Sequence, residues 1–144
     1  MEKTITSANS IFTLTIPGLF QAPVQLMGYS TDRAFATDAV QMAEAQMGVD
    51  GRLSAGYTPS PIVQTITLQA DSPSRDIFST LIIAMDTARE VYWLNGTISL
   101  PATGESYSMI RGVLVNAKAI PDAQRVLAPI DYMITWESVA RSLL

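Results

Sequence analysis

Carboxylates are the main side chains in this sequence that could exchange protons with a substrate. Asp86 and Glu90 stand four residues apart, so on a helix they would lie one turn apart and could act as a paired acid and base. No nucleophile or metal ligand lies near them in sequence, and a solvated helix face explains them better. Asp71 and Asp76 flank the start of the same segment, where the helix dipole accounts for acidic side chains.

Three short motifs resemble functional sites and have simpler explanations. Residues 48–52 read Gly-Val-Asp-Gly-Arg and lack the Gly-Lys-Ser/Thr ending of a phosphate-binding loop. Residues 95–97 match a glycosylation acceptor, but no apolar signal segment opens the sequence, so the match is accidental. Tyr92 and Trp93 could stack a base or a sugar, although such a pair more often serves packing.

The composition excludes several classes of site. The sequence has no cysteine and no histidine, which excludes disulfides, thiolate nucleophiles, Cys/His zinc sites and Ser-His-Asp catalysis. The net charge is −4, and the nine Lys and Arg residues are scattered, so no basic patch for phosphates is present. We therefore expect no enzymatic activity, no cofactor and no metal.

Length and hydropathy indicate one compact domain, residues 1–144. Hydrophobic residues make up 48% and charged residues only 15%, which suits a subunit that buries surface against copies of itself. The longest apolar stretches, residues 81–85 and 91–94, are far too short to span a membrane. We expect a protein made in the cytoplasm that does not contact a membrane.

Short β-like runs separated by turn residues dominate the sequence, with one clear helix. The helix is predicted from Ser72 as N-cap and Pro73 at the first helical position, and Arg89 near its end suits the helix dipole. Its apolar stripe consists of Ile77, Phe78, Leu81, Ile82, Met85 and Ala88. The β-like runs are residues 11–16, 24–27, 62–68, 91–94, 97–100, 106–117 and 130–136.

Two of these runs alternate clearly between apolar and polar residues. In the last run, Ile130, Tyr132, Ile134 and Trp136 form one face, and Asp131, Met133, Thr135 and Glu137 form the other. In the earlier run, Ile62, Ile66 and Leu68 share a face interrupted only by Gln64, and Val63, Thr65, Thr67 and Gln69 share the other. We expect Trp136 in the core and Glu137 on a wet surface.

Residues 34–47 fit two structures, and residues 48–60 fit a loop. Helix propensity is high in the first segment, while Val40, Met42 and Glu44 would alternate in a strand; propensity alone slightly favours helix. Residues 48–61 contain three glycines and two prolines, and their Asp50-Gly51 pair suits a tight turn. The whole pattern predicts an antiparallel β domain with one helix packed on it.

The order of these elements resembles that of bacteriophage tail tube proteins, especially of contractile tails, over nearly the whole chain. An opening strand pair precedes the Gly-Tyr-Ser-Thr-Asp-Arg-Ala-Phe segment at residues 28–35, the long run to Met47 and the Gly-rich segment from Gly48. A strand before the helix, the late strand at residues 112–121 and the final strand complete the match. The resemblance implies that residues 34–47 form a strand.

The resemblance also implies an assembly. It implies an antiparallel β-sandwich or partial barrel whose inner sheet joins a ring-wide β-barrel when six copies assemble. Such rings stack into a tail tube, with tail sheath, tape-measure and baseplate proteins as partners. Genomic DNA passes through the lumen without specific binding, which suits an acidic chain. The expected location is the tail of the virion, after synthesis in the cytoplasm of the host.

Two groups of residues follow as candidate sites. The segment 48–60 is expected to join stacked rings, with Leu53 and Tyr57 as anchors and Arg52 paired to a carboxylate; a passive loop is the alternative. The inter-ring candidates are Gly48, Asp50, Gly51, Arg52, Leu53, Gly56 and Tyr57. The candidates for the lumen or another wet surface are Glu44, Thr65, Thr67, Gln69, Asp131, Thr135 and Glu137.

Other functions remain open at the level of sequence. The chain could be a tube-like baseplate or tail-terminator protein, or a tube subunit of type VI secretion. A small-ligand-binding β-barrel module fits least well. The sequence does not distinguish a contractile from a non-contractile tail.

Overall fold

The computed structural model of the protein describes residues 10–20, 22–27, 29, 35–118, 120, 123 and 125–143. Within these residues the chain is mainly β-structure with one helix, which confirms the predicted fold class. In chain order the elements are β1 (Ile11–Thr15), β2 (Val24–Gln25), β3 (Phe35–Thr37), β4 (Ala43–Met47), β5 (Leu53–Tyr57), β6 (Ile62–Leu68), α1 (Arg75–Ala88), β7 (Leu94–Leu100), β8 (Glu105–Ala117) and β9 (Ile130–Leu143).

Seven of these strands form an antiparallel sheet that curls around the core. The strand order is β2-β1-β7-β8-β9-β6-β3. Phe12 in β1 and Phe35 in β3 lie near opposite edges of this sheet, yet their rings meet edge to face with centroids 5.6 Å apart. This contact shows how far the twisted sheet has curled toward a barrel. The core therefore lies on the concave side of a half-barrel.

The alternation predicted for β9 is confirmed. Ile130, Tyr132, Ile134 and Trp136 are all buried in the core, whereas Glu137 is exposed. The one polar residue on the matching face of β6, Gln64, is also buried and has a specific partner. The indole Nε1–H of Trp136 donates a hydrogen bond of 2.9 Å to Gln64 Oε1. A buried indole N–H needs an acceptor, and Gln64 supplies it inside the apolar face.

Helix α1 closes one end of the half-barrel. Phe78 stacks on Tyr132 with ring centroids 4.3 Å apart and planes 13° apart, and Leu81 is fully buried. Of the other stripe residues, Ile77, Ile82 and Met85 pack against the core, while Ala88 is exposed. Among the described residues, no helix has the length and apolar composition to cross a membrane.

The helix begins later than predicted, and the serines at its start bind the backbone of Met27. Its N-cap residue is Ser74 rather than Ser72, and Pro73 lies before the helix. The N–H of Met27 donates to Ser74 Oγ at 2.6 Å, and the hydroxyl of Ser72 donates to the carbonyl of Met27. Both serines are buried. They tie the chain after β2 to the start of the helix. The Ser72 hydroxyl, which sequence reasoning assigned to a cap, makes this tertiary contact and also accepts a hydrogen bond from the Ser74 N–H at 3.2 Å.

Three further segments differ from the sequence-based expectation. Residues 91–93 are not a strand, since β7 begins only at Leu94. Within residues 34–47, the described residues form two strands, β3 and β4, separated by residues 38–42. The resemblance implied strand structure here, whereas helix propensity favoured a helix. The predicted loop 48–60 contains a strand, β5, because its alternating residues pair with β4.

Tyr29 places a titratable group against the core, where it is half-buried, and gives the fold a pH dependence. Burial raises the pKa of the Tyr29 hydroxyl well above its usual range. Unfolding would release this proton above about pH 10, where a free tyrosine ionises. The contribution of Tyr29 to the free energy of unfolding is therefore fully present below that pH and is lost as the pH rises above it. We expect the free energy of unfolding to decline as the pH rises above about 10. Urea titrations should show a shallower decline for Tyr29→Phe; equal slopes would contradict this assignment.

Candidate assembly surfaces

The segment expected to join rings is a two-stranded hairpin that stands apart from the half-barrel. Strands β4 and β5 pair only with each other among the described residues. Every residue from position 41 to position 57 is exposed. The turn has Gly51 in the left-handed region at φ 82°, and the Gly48 N–H donates to the carbonyl of Arg52 at 2.8 Å. The turn predicted at Asp50-Gly51 is confirmed.

The two faces of this hairpin differ sharply in polarity. Cross-strand partners share a face, and the partners Ala43–Tyr57, Ala45–Ala55 and Met47–Leu53 make one face apolar. The pairs Glu44–Gly56 and Gln46–Ser54 make the other face polar. The predicted anchors Leu53 and Tyr57 therefore lie on the apolar face, and Gly56 lies on the polar one.

Sequence reasoning missed Met47 and the alanines of this apolar face. The signal was available, since residues 43–47 and 53–57 both alternate around Asp50-Gly51. The glycines and prolines of residues 48–61 hid it, because they favoured a loop over the whole segment.

The side of the seven-stranded sheet that faces away from the core carries many small hydroxyl side chains, with Val63, Val113 and Met133 among them. We call it the open face. Cross-strand partners Thr13–Thr97, Thr97–Ser108 and Ser99–Ser106 lie there. Thr65, Thr67, Asp131 and Thr135 lie on the same face in β6 and β9, and Thr67 Oγ1 donates to Asp131 Oδ1 at 2.7 Å. The structure thus brings Thr65, Asp131 and Thr135 together on this face, whereas Thr67 beside them is buried.

Of the other three predicted wet-surface residues, Glu137 also lies on the open face, and the other two lie apart from it. Glu44 lies on the polar side of the hairpin, apart from the open face. Gln69 follows the end of β6 and is half-buried. Glu137 is exposed beside Arg111, with Arg111 Nη1 and Glu137 Oε2 3.6 Å apart.

A bulge in β8 presents Arg111 on the open face. Arg111 has a left-handed backbone at φ 55°, which is uncommon outside glycine, and the register with β7 shifts at this position. Its guanidinium carbon lies 4.3 Å from the centroid of the Trp93 ring, and its N–H donates to Asn95 Oδ1 at 3.1 Å. Trp93 and Asn95, two of the motif residues that suggested ligand or sugar chemistry, are therefore occupied in holding this arginine.

The end of the half-barrel away from α1 holds an apolar groove of about 390 Å³. Trp136 and Met109 form its floor, and Ile62, Leu100 and Val139 are among its walls. Near its rim, the Glu105 carboxylate accepts hydrogen bonds from the Tyr107 hydroxyl at 2.5 Å and from Arg141 Nη2 at 2.8 Å. The bond to Glu105 raises the pKa of Tyr107.

The carboxylate pair considered as an acid and base is not on one helix. The helix ends at Ala88, and Arg89 at φ 57° turns the chain before Glu90. Asp86 and Glu90 are both exposed. Over the described residues, no three His, Cys, Asp or Glu side chains are grouped so that they could hold a metal ion.

Comparison with known proteins gives the family directly. The model of the family described as tail fiber protein gp32 matches residues 3–140, nearly the whole chain. The chain belongs to this family. No curated protein sequence matches the chain significantly. Membership of a tail protein family confirms the tail resemblance drawn from the order of elements.

Solved structures of contractile injection systems share the fold at low sequence identity. A chain of the 6-fold symmetrised anti-feeding prophage baseplate matches with a TM-score of 0.60 and 11% identity, covering 99% of this chain and 97% of that one. A chain of the anti-feeding prophage tube-terminating cap gives 0.61 and 12%, covering 100% and 94%. A chain of the PVC sheath-tube complex gives 0.56 and 10%, covering 92% and 88%. This gp32-family chain thus has the fold of structural components of tubes, caps and baseplates.

Proposed function

We propose that the chain is a tail tube subunit, which forms homohexameric rings that stack into the tube through which phage DNA is delivered. The open face carries this proposal. One side of the sheet is covered by the core and by α1, while the other side carries many threonines and serines together with Val63, Val113 and Met133. A conduit for a polyanion needs a hydrated wall that does not bind phosphates, and this face offers hydroxyl groups with few cations.

In this proposal the open face lines the lumen. Thr65, Asp131 and Thr135 then meet the passing DNA, and Arg111 is balanced by Glu137 at each repeat. Thr67 is buried and holds Asp131 through its hydrogen bond. The hairpin β4–β5 lies outside the sheet and joins one ring to the next through Leu53 and Tyr57. Sheath, tape-measure and baseplate proteins are the expected partners, and the tail of the virion is the expected location.

The second candidate is a specialised ring at one end of the tube. Chains of a cap and of a baseplate share the fold about as closely as the tube-complex chain does, with TM-scores of 0.61, 0.60 and 0.56. A tail fiber description for the family also fits a position near the baseplate better than along the tube. A terminal ring would need the same contacts within the ring but would not stack on copies of itself.

Electron microscopy of the purified chain tests both candidates. We expect negatively stained samples to contain tubes of variable length, with rings as their repeating unit. Isolated rings that never stack would favour the terminal ring. Sedimentation that shows only monomers at every concentration, after prolonged incubation, would contradict both.

A further inference from the structure

The apolar face of the hairpin and the groove at the end of the half-barrel away from α1 are complementary in chemistry. We propose that the hairpin of one subunit places Met47, Leu53 and Tyr57 in the groove of a second copy of this chain. This inference rests on the proposed assembly of copies, and it names the surface that receives the hairpin.

The hairpin has an apolar face that no described residue of its own subunit covers. Met47 is 63% exposed, Leu53 64% and Tyr57 81%, and all three lie on the same face. A lone two-stranded hairpin is marginal in water, so its order depends on a surface that covers it. A contiguous apolar patch of this kind marks an interaction site.

The groove provides a matching receptor. Its walls come from β3, β6, β7, β8 and β9, and they are largely apolar. Gln64 is the polar side chain near the floor, and its carbonyl oxygen already accepts the hydrogen bond from Trp136. A volume of about 390 Å³ exceeds the roughly 30 Å³ of one water many times over. The groove can therefore take apolar side chains, and releasing its water favours their entry.

The topology explains why the occupant is another copy. The groove rim includes Asp38 and Val40, and the chain passes from there directly into β4. The hairpin therefore starts at the end of the half-barrel that holds the groove. Its residues 43–57 are exposed and do not line the groove of their own subunit. Charge adds to the match, because Arg52 is exposed at the hairpin turn and Asp38 is exposed on the groove rim.

The contact has a direction that suits rings and tubes. Each subunit gives its hairpin to one neighbour and receives a hairpin from another, so the two surfaces in the contact are different. Contacts of this heterologous kind close into rings or extend into filaments, whereas a symmetric contact stops at a dimer.

Disulfide cross-linking between two preparations, each of a different single-cysteine variant, tests the contact. The chain contains no cysteine, so each variant carries one thiol. Leu53→Cys is mixed with Val139→Cys, a half-buried position that lines the groove. We expect disulfide-linked pairs containing one chain of each preparation. Ser54→Cys on the polar face is the matched control and should cross-link to Val139→Cys far less. Equal cross-linking from both hairpin positions, or none from Leu53→Cys, would overturn the proposal.

A charge substitution separates this inference from the proposed function. Leu53→Asp is expected to raise the concentration needed for assembly by about ten-fold or more, since an unpaired carboxylate would enter an apolar groove. Ser54→Asp adds the same charge on the polar face and should assemble normally. Circular dichroism should show both variants folded. Normal assembly of Leu53→Asp would overturn the contact while leaving the tube proposal intact, whereas a wild-type chain that never assembles would contradict the tube proposal itself.

Discussion

Replacing Trp136 with alanine is expected to lower the free energy of unfolding by about 3–5 kcal/mol. The indole is fully buried on β9, at the floor of the groove, and it packs over the backbone of β7 and β8. Alanine would leave a large cavity there. It would also leave the buried carbonyl oxygen of Gln64 without the N–H that it accepts, which adds the cost of an unsatisfied polar group.

Urea denaturation followed by far-ultraviolet circular dichroism measures this cost, and Trp93→Ala is the matched control. Trp93 is 44% exposed, and its described contact is the stack with Arg111. An exposed cation–π contact contributes about 0.5–1 kcal/mol, so the control should cost about that much. Similar losses for the two variants would show that Trp136 is not the centre of the core.

The parts of the fold that could be predicted from sequence are those in which local pattern and packing agree. The face of β9 from Ile130 to Trp136 alternates cleanly, and burial of a large apolar face fixes its register. The stripe of α1 was predictable for the same reason. The strands in residues 34–47 were predictable only from the family resemblance, because their alanine and methionine content favours helix until pairing with another strand overrides propensity.

The parts that could not be predicted depend on contacts between segments far apart in the chain. Ser72 has the spacing of a helix cap, yet its hydroxyl binds Met27, which is 45 residues away. In the sequence, Gln64 is a polar residue that interrupts an apolar face. Its role is clear only once its partner Trp136, 72 residues away, is known. The hairpin was hidden by its glycines, and the groove is built by five strands whose adjacency no local pattern shows. Candidate surfaces were thus less predictable than strands.

Substituting Gly112 with alanine is expected to destabilise the fold by about 1–3 kcal/mol, although alanine normally suits regular structure better than glycine. A Cβ at this position would lie 2.3 Å from Trp136 Cε3 and 2.6 Å from Trp136 Cζ3. Across the same ring, a Cβ on Gly96 would lie 3.2 Å from Trp136 Cη2. The two glycines therefore form a slot in β7 and β8 into which the indole fits.

Gly56→Ala is the control for this effect, since a Cβ there would have no atom within 4 Å. We expect its free energy of unfolding to match that of the wild type closely. A double-mutant cycle then assigns the cause. In a Trp136→Leu background the ring that blocks the Cβ is gone, so Gly112→Ala should cost much less than in the wild type. An equal cost in both backgrounds would place the requirement for glycine in the backbone of β8 and not in the packing of Trp136, which would leave the slot without its proposed purpose.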